Sequence, residues 1–336
     1  MMIKLLQISL LFYSTLAIAD TWNGYNNPAN MDVGNDYIYN LNQLPEKSTL
    51  DRLPWSETYW PTDKGSINYR WNSPDKDGFY YIPYSKSQIL KMSIDELKTL
   101  APSEKYDIYM GHYDYPLYNE ARSYGNPHAK DWSGICDGWS IAAIQYAEPA
   151  AVIMTNPDGI LVPFGSSDVK GLMSYAAAAS HFNSGAKQVG TKCGIWSCND
   201  INPGAMHVVL ANQIGIKKQG FVTERFPGNQ IWNQPTYGYE FNLLGSTSTG
   251  VRVHGILQYT DELDDSSWDP VVGTPKFKSD KIEMDYDLDL DSSNNIIGGS
   301  FLNGSDHPGF LWIPTHHLEF KDSLAGINQI YKATAR

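Results

Sequence analysis

Residues 133–143 read SGICDGWSIAA, and they set one of the chain's three cysteines between two glycines, just ahead of an apolar run. Ile141, Ile144 and Tyr146 with interspersed alanines predict a short buried helix that ends before Pro149. The flanking glycines put Cys136 at or near the start of that helix. Free backbone amides and the positive end of the helix dipole favour a thiolate there. The same amides can hold an oxyanion during acyl transfer. Cys136 is therefore read as a nucleophile rather than as an inert core thiol.

The other two cysteines support that reading by elimination. The chain begins MMIKLLQISLLFYSTLAIAD, with Lys4 ahead of an apolar run and Ala17-Ile18-Ala19 as a small-x-small cleavage site. Residues 1–19 are expected to be a signal peptide, and the protein to be secreted, extracellular or periplasmic. The apolar run is too short to span a bilayer, and no membrane insertion is expected. In an oxidising compartment Cys193 and Cys198, close together in TKCGIWSCND, predict a disulfide-closed loop. A zinc pair is the alternative, but no second pair supplies the remaining ligands. Cys136 is left unpaired.

Aromatic residues make up 13% of the chain, charged residues only 18%, and Gly and Pro are frequent, which suits a loop-rich, partly β protein rather than a helical bundle. A net charge of −12 argues against nucleic acid and anionic membrane surfaces as partners. Residues 20–50 lack periodicity and read as an extended leader; residues 51–330 read as the catalytic domain. Ser93 and Glu96 form a capping-box pattern, and Pro102 limits that helix. AVIMTNPDGILVPFG predicts a hairpin and SSDVKGLMSYAAAASHF a helix. MHVVLANQIGI and GFVTERF predict a second hairpin turning near Lys217. From residue 238 onward alternation dominates, so the C-terminal third is expected to be antiparallel sheet. DYDLDLDSSNN fails the calcium-loop pattern and reads as a strand with an acidic outer face.

A thiol nucleophile needs a base and an orienting group. His207 opens the apolar stretch after a Pro-Gly turn, and in the predicted hairpin Glu224 comes opposite it on the same sheet face. A carboxylate there would orient the imidazole. Asn212 is a weaker third member, because five residues along a strand it faces the other way. Cysteine first, histidine later and an acid or amide on the next strand is the chain order of papain-like enzymes. Trp139 and Trp232 are read either as walls of the cleft or as core, and His128 as a surface-loop residue.

Several longer stretches carry a resemblance: PWSETYWPTDKGSINYRW, PSEKYDIYMG, DWSGICDGWSIAAIQYAEP, DGILVPFGSSDVKGLMSY, CNDINPGAMHVVLANQIG, FVTERFPGNQIWNQP and HPGFLWIP. In this order, over residues 53–313, the chain resembles the transglutaminase elicitor family. The resemblance implies an α+β fold with a papain-like core and extra β-rich C-terminal strands. It implies acyl transfer through cysteine, with Cys136 as nucleophile, His207 as general base and acid, and Glu224 where an aspartate would be expected. Calcium is linked to the family's activity, with no ligands identified on this chain. The expected function is a secreted protein-glutamine γ-glutamyltransferase joining glutamine and lysine side chains of protein substrates. A papain-like protease or amidase would use the same residues with water as acceptor. A non-catalytic secreted binding or elicitor protein, presenting its many Tyr and Trp side chains, is the reading from another class.

Overall fold

Alternating burial along the last third of the chain builds one large antiparallel sheet. The structure is a computed structural model that describes residues 22–73, 75–192 and 199–334, with the backbone alone at 181–184. The expected signal peptide and the expected Cys193–Cys198 disulfide lie outside the described residues. The strands are β1 (Lys47–Thr49), β2 (Val152–Thr155), β3 (Leu161–Phe164), β4 (Ala186–Val189), β5 (Phe221–Glu224), β6 (Asn233–Ser246), β7 (Gly250–Thr260), β8 (Ser279–Leu290), β9 (Ile296–Phe301) and β10 (Phe310–Pro314). The helices are α1 (Lys86–Ile89), α2 (Ile94–Lys98), α3 (Pro102–Met110), α4 (Pro116–Tyr124), α5 (Cys136–Gln145), α6 (Ser166–Ser184), α7 (Pro203–Leu210) and α8 (Ile327–Thr334).

The main sheet runs β4-β10-β5-β6-β7-β8-β9, and β2 and β3 form the separate hairpin expected from the Asn-Pro-Asp-Gly turn. Strand β6 organises it. Asn233 to Thr236 pair with β5, and Gly238 to Glu240 then pair with β1 along the same edge. On β8 the side chains Ile282, Met284, Tyr286 and Leu288 are buried while their neighbours face out, which accounts for the strict alternation of its sequence.

Local signals explain most of the helices. Ser93 accepts from the Glu96 amide and Glu96 reaches back to the Ser93 amide, so the capping box forms as expected. The helix ends at Lys98 with Thr99 as its C-cap, ahead of Pro102, which instead starts α3 at its first position, where its missing N–H costs nothing. Tyr37, Ile38 and the rest of residues 22–49 carry few regular elements. This stretch nevertheless packs into the fold: Met31 is fully buried, and the Asn212 side chain bonds both the N–H and C=O of Ile38.

One element differs from expectation. The stretch after Pro203 is not a strand but helix α7, continued by a π-helical turn at Ala211–Ile216. Asn202 caps it by accepting from the Gly204 and Ala205 amides, and Pro203 occupies the first helical position. Every residue of α7 is buried between β8, β9 and the N-terminal stretch, so its sequence is apolar all round and shows no helical period. The predicted hairpin near Lys217 is therefore absent, and β5 pairs with β6 and β10.

Two cores result. One gathers α3 to α6 with the aromatic segment around Trp55 and Trp60; the other lies between α7 and the β6–β9 face. Trp139 belongs to the first, fully buried, with Nε1 donating to the Trp55 carbonyl at 2.9 Å. A buried ion pair anchors that core: Lys105 Nζ lies 2.7 Å from Asp168, and both side chains are fully enclosed.

Candidate functional site

Helix α5 begins at Cys136 itself, with Ile135 as its N-cap. Two close approaches explain the flanking glycines. Ile135 N–H bonds the Tyr59 carbonyl and Thr62 N–H bonds the Ser133 carbonyl, so two backbone segments lie side by side, and any Cβ at Gly134 would overlap the Tyr59 oxygen. A Cβ at Gly138 would overlap the Ser174 carbonyl of α6. The glycines let α5 press into its neighbours and fix the thiol's place.

Cys136 is 6% exposed and opens on a cavity of about 550 Å³. Trp132, Asp137, Gln188, Asn233 and Trp312 are among its lining residues. Asn233 Nδ2 stands 3.8 Å from Sγ, and the Ile231 carbonyl 4.0 Å. Trp312 Nε1 donates to Asn233 Oδ1 at 2.9 Å, which fixes the amide with its NH2 toward the sulfur. Ser140, one turn further along α5, bonds the Asn233 carbonyl at 2.9 Å and ties helix to strand. Beside the cleft, Trp232 stands edge-on to Tyr59 with centroids 5.5 Å apart.

Burial pushes the Cys136 thiol up to about 12; the Asp137 carboxylate adds to this, and the Asn233 backbone and side-chain amides oppose it. Alkylation of the folded protein by iodoacetamide is accordingly expected to be slow at neutral pH and still to be rising about tenfold per pH unit at about pH 10. A rate that levels off by about pH 9, as for an ordinary thiol, would overturn this.

His207 does not meet Cys136. Its ring stacks on Phe241 with centroids 3.8 Å apart, and Nδ1 lies 2.9 Å from the Tyr286 hydroxyl. Burial pushes its pKa down to about 3. It faces a separate cavity of about 210 Å³ with Leu41, Leu44 and Glu46. Asn233, at the thiol, and Phe241, at the imidazole, are eight positions apart on β6, about 26 Å along the strand. The expected His207–Glu224 juxtaposition fails for the reason given above: His207 is on a helix, and Glu224 pairs with Asn233 and Phe310. Asn212 binds Ile38 and Val208 within the fold. His128 is an exposed loop residue.

Glu224 sits next to the thiol's partner rather than next to the imidazole. It is 2% exposed, and its Oε1 has no hydrogen-bond partner among the described residues. Burial pushes its carboxyl up to about 7, against the amides of Phe226, Trp232 and Gly309. Between its ordinary 4.5 and about 7 the folded form holds a proton that the unfolded chain has lost. This contribution is fully present below pH 4.5 and is lost as pH rises through 7. Glu224→Gln cannot ionise, so it is expected to match wild type at pH 4 and to exceed it by on the order of 3 kcal/mol at pH 8. Urea unfolding at the two pH values measures this; equal differences at both would refute it.

Asn233, Gln188 and Trp312 are site residues that sequence reasoning missed. Asn233 lies 97 positions from Cys136, and no local pattern links them. Among the described residues no group of three or more His, Cys, Asp or Glu is placed to hold a metal ion. In the acidic strand β8, Asp287 is engaged by Arg252 and Asp285 by His254.

The thiol, its helix, Asn233 and Glu224 all fall within one recognisable segment. Residues 119–260 match the transglutaminase elicitor family. This agrees with the resemblance carried by the sequence stretches. The fold is similar to the crystal structure of the GP42 transglutaminase from Phytophthora sojae, with a TM-score of 0.67 and 20% identity over 93% of this chain and 98% of that one. No curated protein matches the chain. The transglutaminase elicitor match ends before Trp312, so β10 completes the thiol cavity from outside the matched segment.

Proposed function

We propose that this protein is a transglutaminase-type acyltransferase with Cys136 as its nucleophile. The observation that carries this reading is the placement of the thiol: at the first residue of α5, open to a cavity of about 550 Å³, with an oriented amide donor at 3.8 Å. The papain-like element of the reading is this helix, bearing a thiol at its N-terminus and packed against an antiparallel sheet. Sγ attacks the carboxamide carbon of a substrate glutamine, ammonia leaves with the thiol proton, and a thioester forms. A lysine amine then attacks the thioester, its proton returns to sulfur, and an isopeptide bond results. Asn233 and the first amides of α5 are placed to stabilise negative charge near Sγ. Secretion and a glutamine- and lysine-bearing protein substrate belong to the same proposal.

A non-catalytic elicitor role is the second reading. It is favoured by the raised thiol pKa and by the absence of an imidazole among the cavity's described lining residues. Incorporation of a fluorescent amine into a glutamine-containing protein separates the two. Incorporation by wild type that is lost in Cys136→Ala supports the enzyme; no incorporation by wild type, with or without calcium, supports the second reading. Ammonia release without incorporation would assign water as acceptor and make the protein an amidase.

A further inference from the structure

We propose that a second cavity, at the C-terminal end of α5, binds a small carboxylate with an apolar body. This cavity has a volume of about 530 Å³, within the range of small-molecule sites. Leu50, Ile141, Ile144 and Ile313 give it apolar lining, and Arg52 and Lys218 stand at the same cavity. Asp51 is the one carboxylate among its lining residues.

The two cations are the informative feature. The chain carries 37 acidic against 25 basic side chains, and the cations Arg70, Lys105, Lys170 and Arg252 each have a carboxylate partner. Arg52 and Lys218 have none among the described residues. Arg52 donates to the Ile144 carbonyl at 2.5 Å, covering the carbonyl end of α5, and Lys218 donates to Ser48 Oγ at 2.5 Å. A guanidinium has five N–H donors and an ammonium three, so both retain donors for an anion. Arg52 is exposed, and desolvation beside the cavity lowers its guanidinium from the ordinary value.

The backbone holds Lys218 in place at some cost. It has a φ of 55°, in the left-handed region, directly after the π-helical turn. Flanking bonds from Lys217 N–H to the Asn212 carbonyl and from Gln219 N–H to the Gln213 carbonyl, both 2.8 Å, enforce it. Strained residues and π-turns persist where the surroundings over-determine them, often at binding sites. The apolar lining selects a hydrocarbon body, and the unpaired cations select its carboxylate. The site lies at the opposite end of α5 from Cys136, so it is distinct from the thiol cavity.

Calorimetric titration of the full chain with hexanoate, hexan-1-ol and hexylamine tests this. Hexanoate is expected to bind, with the alcohol at least about tenfold weaker and the amine without measurable heat. Lys218→Met, at an exposed side chain, and Arg52→Gln are each expected to weaken hexanoate about tenfold, with circular dichroism unchanged for Lys218→Met. Equal affinity for hexanoate and hexan-1-ol overturns the proposal. So does wild-type affinity for hexanoate in both variants, or no hexanoate binding by wild type.

Discussion

Cys136→Ala is expected to lower amine incorporation by about a thousandfold or more, because no step of the proposed transfer proceeds without the sulfur. The fold should survive. The side chain is small, borders a cavity, and Asn233 Nδ2 and the Ile231 carbonyl stand 3.8 and 4.0 Å from its sulfur, beyond a strong hydrogen bond. Thermal unfolding alongside the assay checks that the loss is chemical. Two further variants decide which neighbours matter. Asn233→Ala removes the amide that Trp312 aims at Sγ and is expected to reduce turnover by about a hundredfold, the scale for one oxyanion donor. His207→Gln is expected to keep its activity per folded molecule, since the ring is enclosed by Phe241 and Tyr286 in the other core. If His207→Gln lost as much as Cys136→Ala, with folding intact, the imidazole would have to reach the thiol by a rearrangement this structure does not contain.

Asp168→Ala is expected to cost about 3–5 kcal/mol of stability, the largest loss from any single truncation considered for this protein. The carboxylate accepts from Lys105 at 2.7 Å, from Trp71 Nε1 at 2.9 Å and from the Gly165 amide at 2.6 Å. Its removal strands a fully enclosed ammonium and leaves an indole and an amide at the start of α6 without their acceptor. Helix α6 also supports α5 through the contact at Gly138, so the loss should reach the thiol site. Urea unfolding of wild type, Asp168→Ala and the double variant Lys105→Met/Asp168→Ala measures it. The double variant should recover part of the loss, because it leaves no buried charge. Equal stability of Asp168→Ala and wild type would refute the assigned role.

The parts of this molecule that sequence made legible are those written in local chemistry. The Ser93–Glu96 capping box, the hairpin through residues 156–159, helix α6 and the alternating strand β8 each depend on residues a few positions apart. Cys136 at a helix start is of the same kind, since its glycines and the apolar run that follows are adjacent. His207 was misplaced because α7 is buried on every side. A helix without a polar face loses the period that identifies it, and only the Asn202-Pro203 cap could have signalled it.

The sequence alone determined that one thiol lies at the start of a helix, and the resemblance assigned it acyl-transfer chemistry. Tertiary structure decided its neighbours. Strand β10, the last in the chain, inserts between β4 and β5 and brings Trp312 to Asn233, and Asn233 to the sulfur. The same packing sends His207 to the far part of β6 and encloses Cys136 deeply enough for desolvation to raise its thiol pKa. Burial and strand order are properties of the whole chain, so no single stretch of sequence could specify them.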